Sequence, residues 1–143
     1  MTTWVVVADR LRARLFEAGS GRPMLKELED LVHPEAREHE RELVDDRQGR
    51  EIGLWGHQTF EPRTRPRDKE TGEFIRELGD RLRKGVHEGT FDRLVLCAEP
   101  GLLGRLRREL PGGVARTVVG EVNKDLADKI RPEDIEPYVS GMV

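Results

Sequence analysis

Four carboxylates are spaced along this sequence as a two-metal, phosphodiester-cleaving centre would need them. Asp9 closes the first apolar run, and Glu73 (or its neighbours Glu70 and Glu77) lies in a segment of helical period. Glu99 closes a later apolar run and Asp125 follows the last one. Carboxylates on strand ends and a facing helix can hold two Mg2+ or Mn2+ ions, which activate water and stabilise the leaving oxygen. Each also has a plainer use. Asp9 opens a turn, where aspartate is favoured, and Glu99 precedes Pro100-Gly101 at a helix start, where negative charge is stabilised. A second chemistry is offered by Trp55-Gly56-His57-Gln58. A glycine beside a glutamine lets backbone amides and a side-chain amide approach an RNA backbone or an ester carbonyl. The plain alternative is a chance triplet in a polar loop that Trp55 anchors. The third set is arginine: Arg63, Arg65 and Arg67 alternate beside the triplet, and Arg105, Arg107, Arg108 and Arg116 cluster later. Guanidinium forks match phosphate oxygens, although solvated charges balanced by nearby acid need no partner.

Other chemistries find little support. Cys97 is the only cysteine, which excludes an internal disulfide and a cysteine-rich zinc site. His33, His39, His57 and His87 lack zinc-ligand spacing, and no serine elbow or phosphate-cradling glycine loop occurs. Outside the carboxylate reading, therefore, no metal or cofactor is expected. The 143 residues suit one domain. With 25 basic and 28 acidic residues the net charge is −3, so any attraction to nucleic acid must be local. Aromatics are only 5%, too few for a dedicated single-strand binder. No apolar run nears the roughly 20 residues of a membrane span. Trp4–Ala8 follows no basic segment, so no secretion signal is expected and the cytoplasm is the expected compartment.

The elements that must position these residues follow from period. Trp4–Ala8 is β-branched and short, the pattern of a buried strand. Ala13–Ala18 alternates, with Ala13 and Leu15 on one face and Arg14, Phe16 and Ala18 on the other. Gly19–Pro23 is a turn, and Met24–Val32 is read as a third strand because two antiparallel strands alone are marginal. From His33 to Arg67 the period disappears into alternating acid and base, a long loop with at most a helical turn near 35–43. Phe74, Ile75, Leu78, Leu82 and Val86 then predict an amphipathic helix, opened near Pro66–Thr71 and closed by Gly85 and Gly89. Leu94–Ala98 reads as a doubly buried strand. Leu102, Leu103, Leu106 and Leu110 face inward on a helix that Pro111-Gly112-Gly113 ends. Val114–Val122 is read as the fifth strand, Leu126–Ile130 as a helical turn, and Pro132–Val139 as a short helix. The order β-β-β-α-β-α-β-α makes an α/β fold with a mixed five-stranded sheet, the ribonuclease H-like arrangement.

Several stretches together resemble one family. Trp4 to Phe16, His33-Pro34-Glu35, Asp46-Arg47-Gln48-Gly49-Arg50, Leu94 to Leu106 with its Ala98-Glu99-Pro100-Gly101-Leu102-Leu103-Gly104 core, and Val122-Asn123-Lys124-Asp125-Leu126 are similar to the bacterial host attachment proteins. The resemblance covers nearly the whole chain and implies one host-attachment domain over 1–143. That family is in turn similar to the middle domain of archaeal and eukaryotic peptide-chain release factors. In those factors a long loop between the third strand and a long helix carries the Gly-Gly-Gln tripeptide that enters the peptidyl-transferase centre. Gly56-His57-Gln58 lies in the corresponding loop here. It differs in its central residue, His57, and in the stretch Thr59–Arg67 before the helix. No codon-reading domain is expected in 143 residues.

The resemblance thus implies a non-enzymatic protein associated with ribosomes or RNA. Trp55, Gly56, His57 and Gln58 would be the loop contact, and Arg63, Arg65, Arg67, Arg105, Arg107 and Arg108 the phosphate-binding set. Two alternatives stand beside it. One is a metal-dependent ribonuclease H-like nuclease using Asp9, Glu73, Glu99 and Asp125 with Mg2+ or Mn2+. The other is a protein-interaction module acting indirectly in host-cell attachment, and a homodimer closed by the loop would be one form of interaction.

Overall fold

Strand β1 (Thr3–Ala8) is buried along its whole length, as its Trp-Val-Val-Val-Ala run requires of a strand covered on both faces. A computed structural model describes residues 1–10, 12–21, 23–32, 66–129 and 131–143, and it puts β1 at the centre of a five-stranded sheet. On one side β1 pairs antiparallel with β2 (Arg12–Ala18), which pairs antiparallel with β3 (Leu25–Val32). On the other it pairs parallel with β4 (Arg93–Ala98), which pairs parallel with β5 (Val118–Asn123). The order is β3-β2-β1-β4-β5, so the expected mixed sheet is the observed one. Met24–Val32 is indeed extended and paired, from Leu25 onward.

Four helices follow among the described residues: α1 (Pro66–Glu88), α2 (Pro100–Glu109), α3 (Gly112–Ala115) and α4 (Pro132–Val139). The apolar stripe of α1 buries Phe74, Ile75, Leu78 and Leu82, and α2 adds Leu102, Leu103 and Leu106 over Val6, Leu15, Leu94 and Leu96 of the sheet. Trp4 stacks on Phe91 at 4.5 Å between ring centroids, and the Arg81 guanidinium lies over Trp4 at 5.3 Å. Helix α1 stops at Gly89, whose φ of 74° suits a residue without Cβ. The opposite face packs Val5, Val7, Phe16, Leu25, Val95 and Cys97 against Leu126, Ile135 and Val139. No helix among the described residues is long and apolar enough to cross a membrane.

The start of the fifth strand differs from the one its sequence predicts. The fifth strand starts at Val118 because Val114 enters the core from a helical turn, with the Val114 and Ala115 N–H groups both donating to the Pro111 carbonyl. Leu126–Lys129 is the expected turn, closed by the Lys129 N–H donating to Leu126 O at 3.1 Å.

Candidate functional site at the strand carboxyl ends

Three parallel strands finish side by side, which is where open α/β sheets place their ligands. Val7 is opposite Cys97, and Ala98 is opposite Asn123. Continuing those registers brings Asp9, Glu99 and Lys124 to adjacent strand ends. The two carboxylates are committed to the backbone there. Asp9 Oδ1 accepts the Arg12 N–H at 2.8 Å while its own N–H donates to Arg12 O at 2.9 Å, making the β1–β2 turn. Glu99 is the N-cap of α2 and accepts the Leu102 N–H at 2.6 Å. Asp125 Oδ1 accepts the Ala127 N–H at 3.1 Å. Glu73, half-buried on α1, is engaged in an interaction of its own, and Glu70 Oε1 is buried without a hydrogen-bond partner among the described residues. Among the described residues, no three His, Cys, Asp or Glu side chains group so as to hold a metal ion. The structure therefore brings Asp9 and Glu99 to neighbouring strand ends and uses both as caps.

The chain leaves and re-enters the described fold at this same end. Val32, the last residue of β3, pairs with Arg12, and the Arg12 fork bonds Asp30 with its Nε at 3.3 Å from Oδ1. At the start of α1, Asp68 Oδ1 lies 3.8 Å from Arg10 Nη1, on the same β1–β2 turn. Trp55, Gly56, His57, Gln58, Arg63 and Arg65 lie outside the described residues; Arg67 falls within α1, its side chain outside what is described.

The later arginines do not form one phosphate-facing set. Arg105 bonds Glu109, Nε to Oε2 at 2.8 Å, and donates from Nη1 to Asp68 O at 3.2 Å. Arg107 forks onto Glu121 of β5, with Nε 3.1 Å from Oε2 and Nη2 on Oε1. That pairing raises the Arg107 pKa, and its hydrogen bond holds the Glu121 carboxyl below its ordinary value despite some burial. The pair borders a crevice of about 240 Å3 lined by Leu96, Leu106, Leu110 and Val118. Arg108 is exposed and has no ion pair among the described residues.

The alternation of β2 places Arg14 on one face with Phe16 and Ala18 and predicts no role for it. It is only 4% exposed, and its guanidinium forks onto Glu27, Nε to Oε2 at 2.9 Å and Nη2 to Oε1 at 2.8 Å. Nη1 reaches the Ala127 carbonyl at 3.4 Å and bonds the Lys129 carbonyl. The Glu27 hydrogen bond outweighs the burial opposing the charge, so its pKa is raised. Cys97, by contrast, is pushed up to about 12 by burial alone, which makes it a packing residue.

Mixed parallel and antiparallel pairing, with Val32 opposite Arg12 and Asp68 beside Arg10, defines an α/β scaffold. The chain is similar in fold to the crystal structure of an archaeal translation termination factor, aRF1, with a TM-score of 0.53 at 11% identity. The alignment covers 98% of this chain and 38% of that one. A second solved structure, described as an archaeal protein, gives a TM-score of 0.49 at 11% identity, over 98% of this chain and 37% of that one. The chain belongs to the family described as "protein required for attachment to host cells", whose model matches residues 4–139. An uncharacterized protein of Rickettsia prowazekii (strain Madrid E) is 36% identical over 69 residues, which are 47% of this chain and 46% of that relative.

Proposed function

We propose that this host-attachment family member is a non-enzymatic, cytoplasmic protein that associates with the ribosome or with RNA through residues 55–67. The observation that carries the reading is that the described chain on either side of this stretch lies beside the β1–β2 turn, Val32 opposite Arg12 and Asp68 beside Arg10. That arrangement suits a rigid body holding out a contact element. The fold likeness to a translation termination factor supports the same reading, as does Gly56-His57-Gln58 within the insertion. Co-sedimentation with purified bacterial ribosomes tests it. Replacing Gly56-His57-Gln58 with alanines should weaken sedimentation and Asp9→Asn should not; unchanged sedimentation of the alanine variant removes the loop from the proposal.

The nuclease alternative makes the opposite demand: purified protein with Mg2+ or Mn2+ should cleave RNA or an RNA–DNA hybrid, and Asp9→Asn should abolish cleavage. A different second reading, indirect action in attachment as a protein-interaction module, is favoured by the description of the matched family. Affinity purification from the native cell with and without ribonuclease separates RNA-dependent partners from direct protein ones.

A further inference from the structure

We propose that Arg105 is a positioning residue that fixes where the chain re-enters the fold after the insertion, rather than a phosphate ligand. The inference rests on the reading of residues 55–67 as the contact element, and it adds the group that sets that element's return point. Arg105 rises from α2 and crosses to the first turn of α1, where Nη1 donates to Asp68 O at 3.2 Å. It passes close to Gly72, where a Cβ would lie 3.0 Å from Arg105 Nη2, a tight contact. The guanidinium is held from behind by Glu109, one turn along α2, with Nε 2.8 Å from Oε2 and Nη2 3.4 Å from Oε1. Its side chain is 23% exposed, so most of the fork is already spent. Arg10 approaches the same turn from the other side, 3.8 Å from Asp68 Oδ1.

The electrostatics make this seat unusual. The N-terminus of a helix carries partial positive charge, so cations there oppose the helix dipole. Two arginines converge on the first turn of α1 all the same, with Asp68 and Glu109 compensating them. Helix stability alone would not favour that arrangement, whereas holding the turn against the β1–β2 corner and α2 does. Because Val32 pairs with Arg12 at that same corner, Arg105 sets where Asp68 lies relative to the end of β3.

Limited trypsinolysis of the full chain tests the role without ribosomes. Arg105→Ala should speed cleavage after Lys69, in the first turn of α1, by about tenfold, as expected when local opening loses one charge-assisted hydrogen bond. Cleavage after Lys84, further along the same helix, should stay unchanged. Glu109→Gln, which keeps Arg105 but loosens its holder, should give a smaller acceleration at Lys69, and Arg105→Lys should restore part of the protection. Equal acceleration at Lys69 and Lys84 would mean general destabilisation and would overturn the proposal, as would no acceleration at all. In ribosome sedimentation, Arg105→Ala should weaken binding of the intact protein. If the wild-type chain does not sediment, the ribosome reading falls by itself, and the Lys69-to-Lys84 ratio still decides whether Arg105 holds the turn.

Discussion

The two faces of the sheet are closed by different physics. Over one face, α1 and α2 lay an almost purely apolar stripe, Phe74, Ile75, Leu78, Leu82, Leu102 and Leu106, on the strands. Over the other, among the described residues, lie the eight-residue α4, the turn that leads to it and the residues that follow it. Part of its attachment is polar: Arg14 emerges from β2 and bonds the Ala127 and Lys129 carbonyls while Glu27 holds its other edge. A long amphipathic helix buries enough surface to dock by the hydrophobic effect alone. A short helix and a turn bury less, and the turn's carbonyls need donors that no neighbouring strand supplies. A buried guanidinium meets both needs, beside the apolar contacts of Leu126, Ile135 and Val139.

Breaking that side chain should therefore give the largest effect. Arg14→Ala leaves the Ala127 and Lys129 carbonyls without this charged donor and Glu27, a third exposed, without its partner, and should cost about 3–5 kcal/mol in urea unfolding, at about 1.5–3 kcal/mol for each charge-assisted hydrogen bond lost. A double Arg14→Met, Glu27→Met variant removes the charge problem but still orphans the carbonyls, so it should recover only part of the loss. Full recovery would show that the contact with residues 127 and 129 contributes nothing. On the apolar face, Leu78→Ala should cost about 2–5 kcal/mol, with the loss shared among many neighbours and no equivalent of the charge-pair rescue.

The same contrast explains what was legible in the sequence. Trp4–Ala8 and Leu94–Ala98 announce themselves because a strand buried on both faces is apolar throughout, and α1 does so because its stripe has period 3.6. These are local signals. The start of β5 was misplaced because Val114 is equally at home in a strand or a core-facing helical turn, and only the Pro111 carbonyl decides. The clamp formed by Arg14 was illegible because its partners are 113 and 115 residues away. Spacing correctly placed Asp9 and Glu99 at neighbouring strand ends, and the capping uses that compete with metal binding were equally readable, since each bonds an N–H three residues on. For Arg105 and Arg107, residue type suggested phosphate. Their pairing with Glu109 and Glu121 depends on geometry; only Glu109, four residues on, was within local reach.

Cys97 offers a reporter for the polar-closed face, since it lies in that face's core and its thiol pKa is raised to about 12 by burial. Thiolate is the reactive form, so a disulfide reagent at pH 8 should label the native protein only through opening. Arg14→Ala should accelerate labelling much more than a Leu78→Ala variant matched to it in stability by urea. Equal acceleration would mean the two faces open as one unit, and the contrast between them would reduce to chemistry without a difference in dynamics. The sign of the pH dependence follows from the shift. Because the folded pKa exceeds the unfolded value of about 8.5, the unfolded chain loses its proton first, and stability falls as pH rises from there toward the folded value.

The smallest effect belongs to Arg107 and Glu121, an ion pair at the rim of the apolar-closed face. The Glu121 carboxyl is held below its ordinary value by the Arg107 hydrogen bond. Its contribution is therefore present above the unfolded carboxyl pKa of about 4.3, and it disappears as pH falls through the lower folded value. Glu121→Gln should slightly flatten the acid limb of the stability curve, and the difference from wild type should shrink in added salt because the pair is solvated. Arg14, shielded from solvent, should show no such salt sensitivity. A wild-type-to-Glu121→Gln difference that survives high salt would place this pair with the buried clamp instead, and would mean that both faces rely on charge.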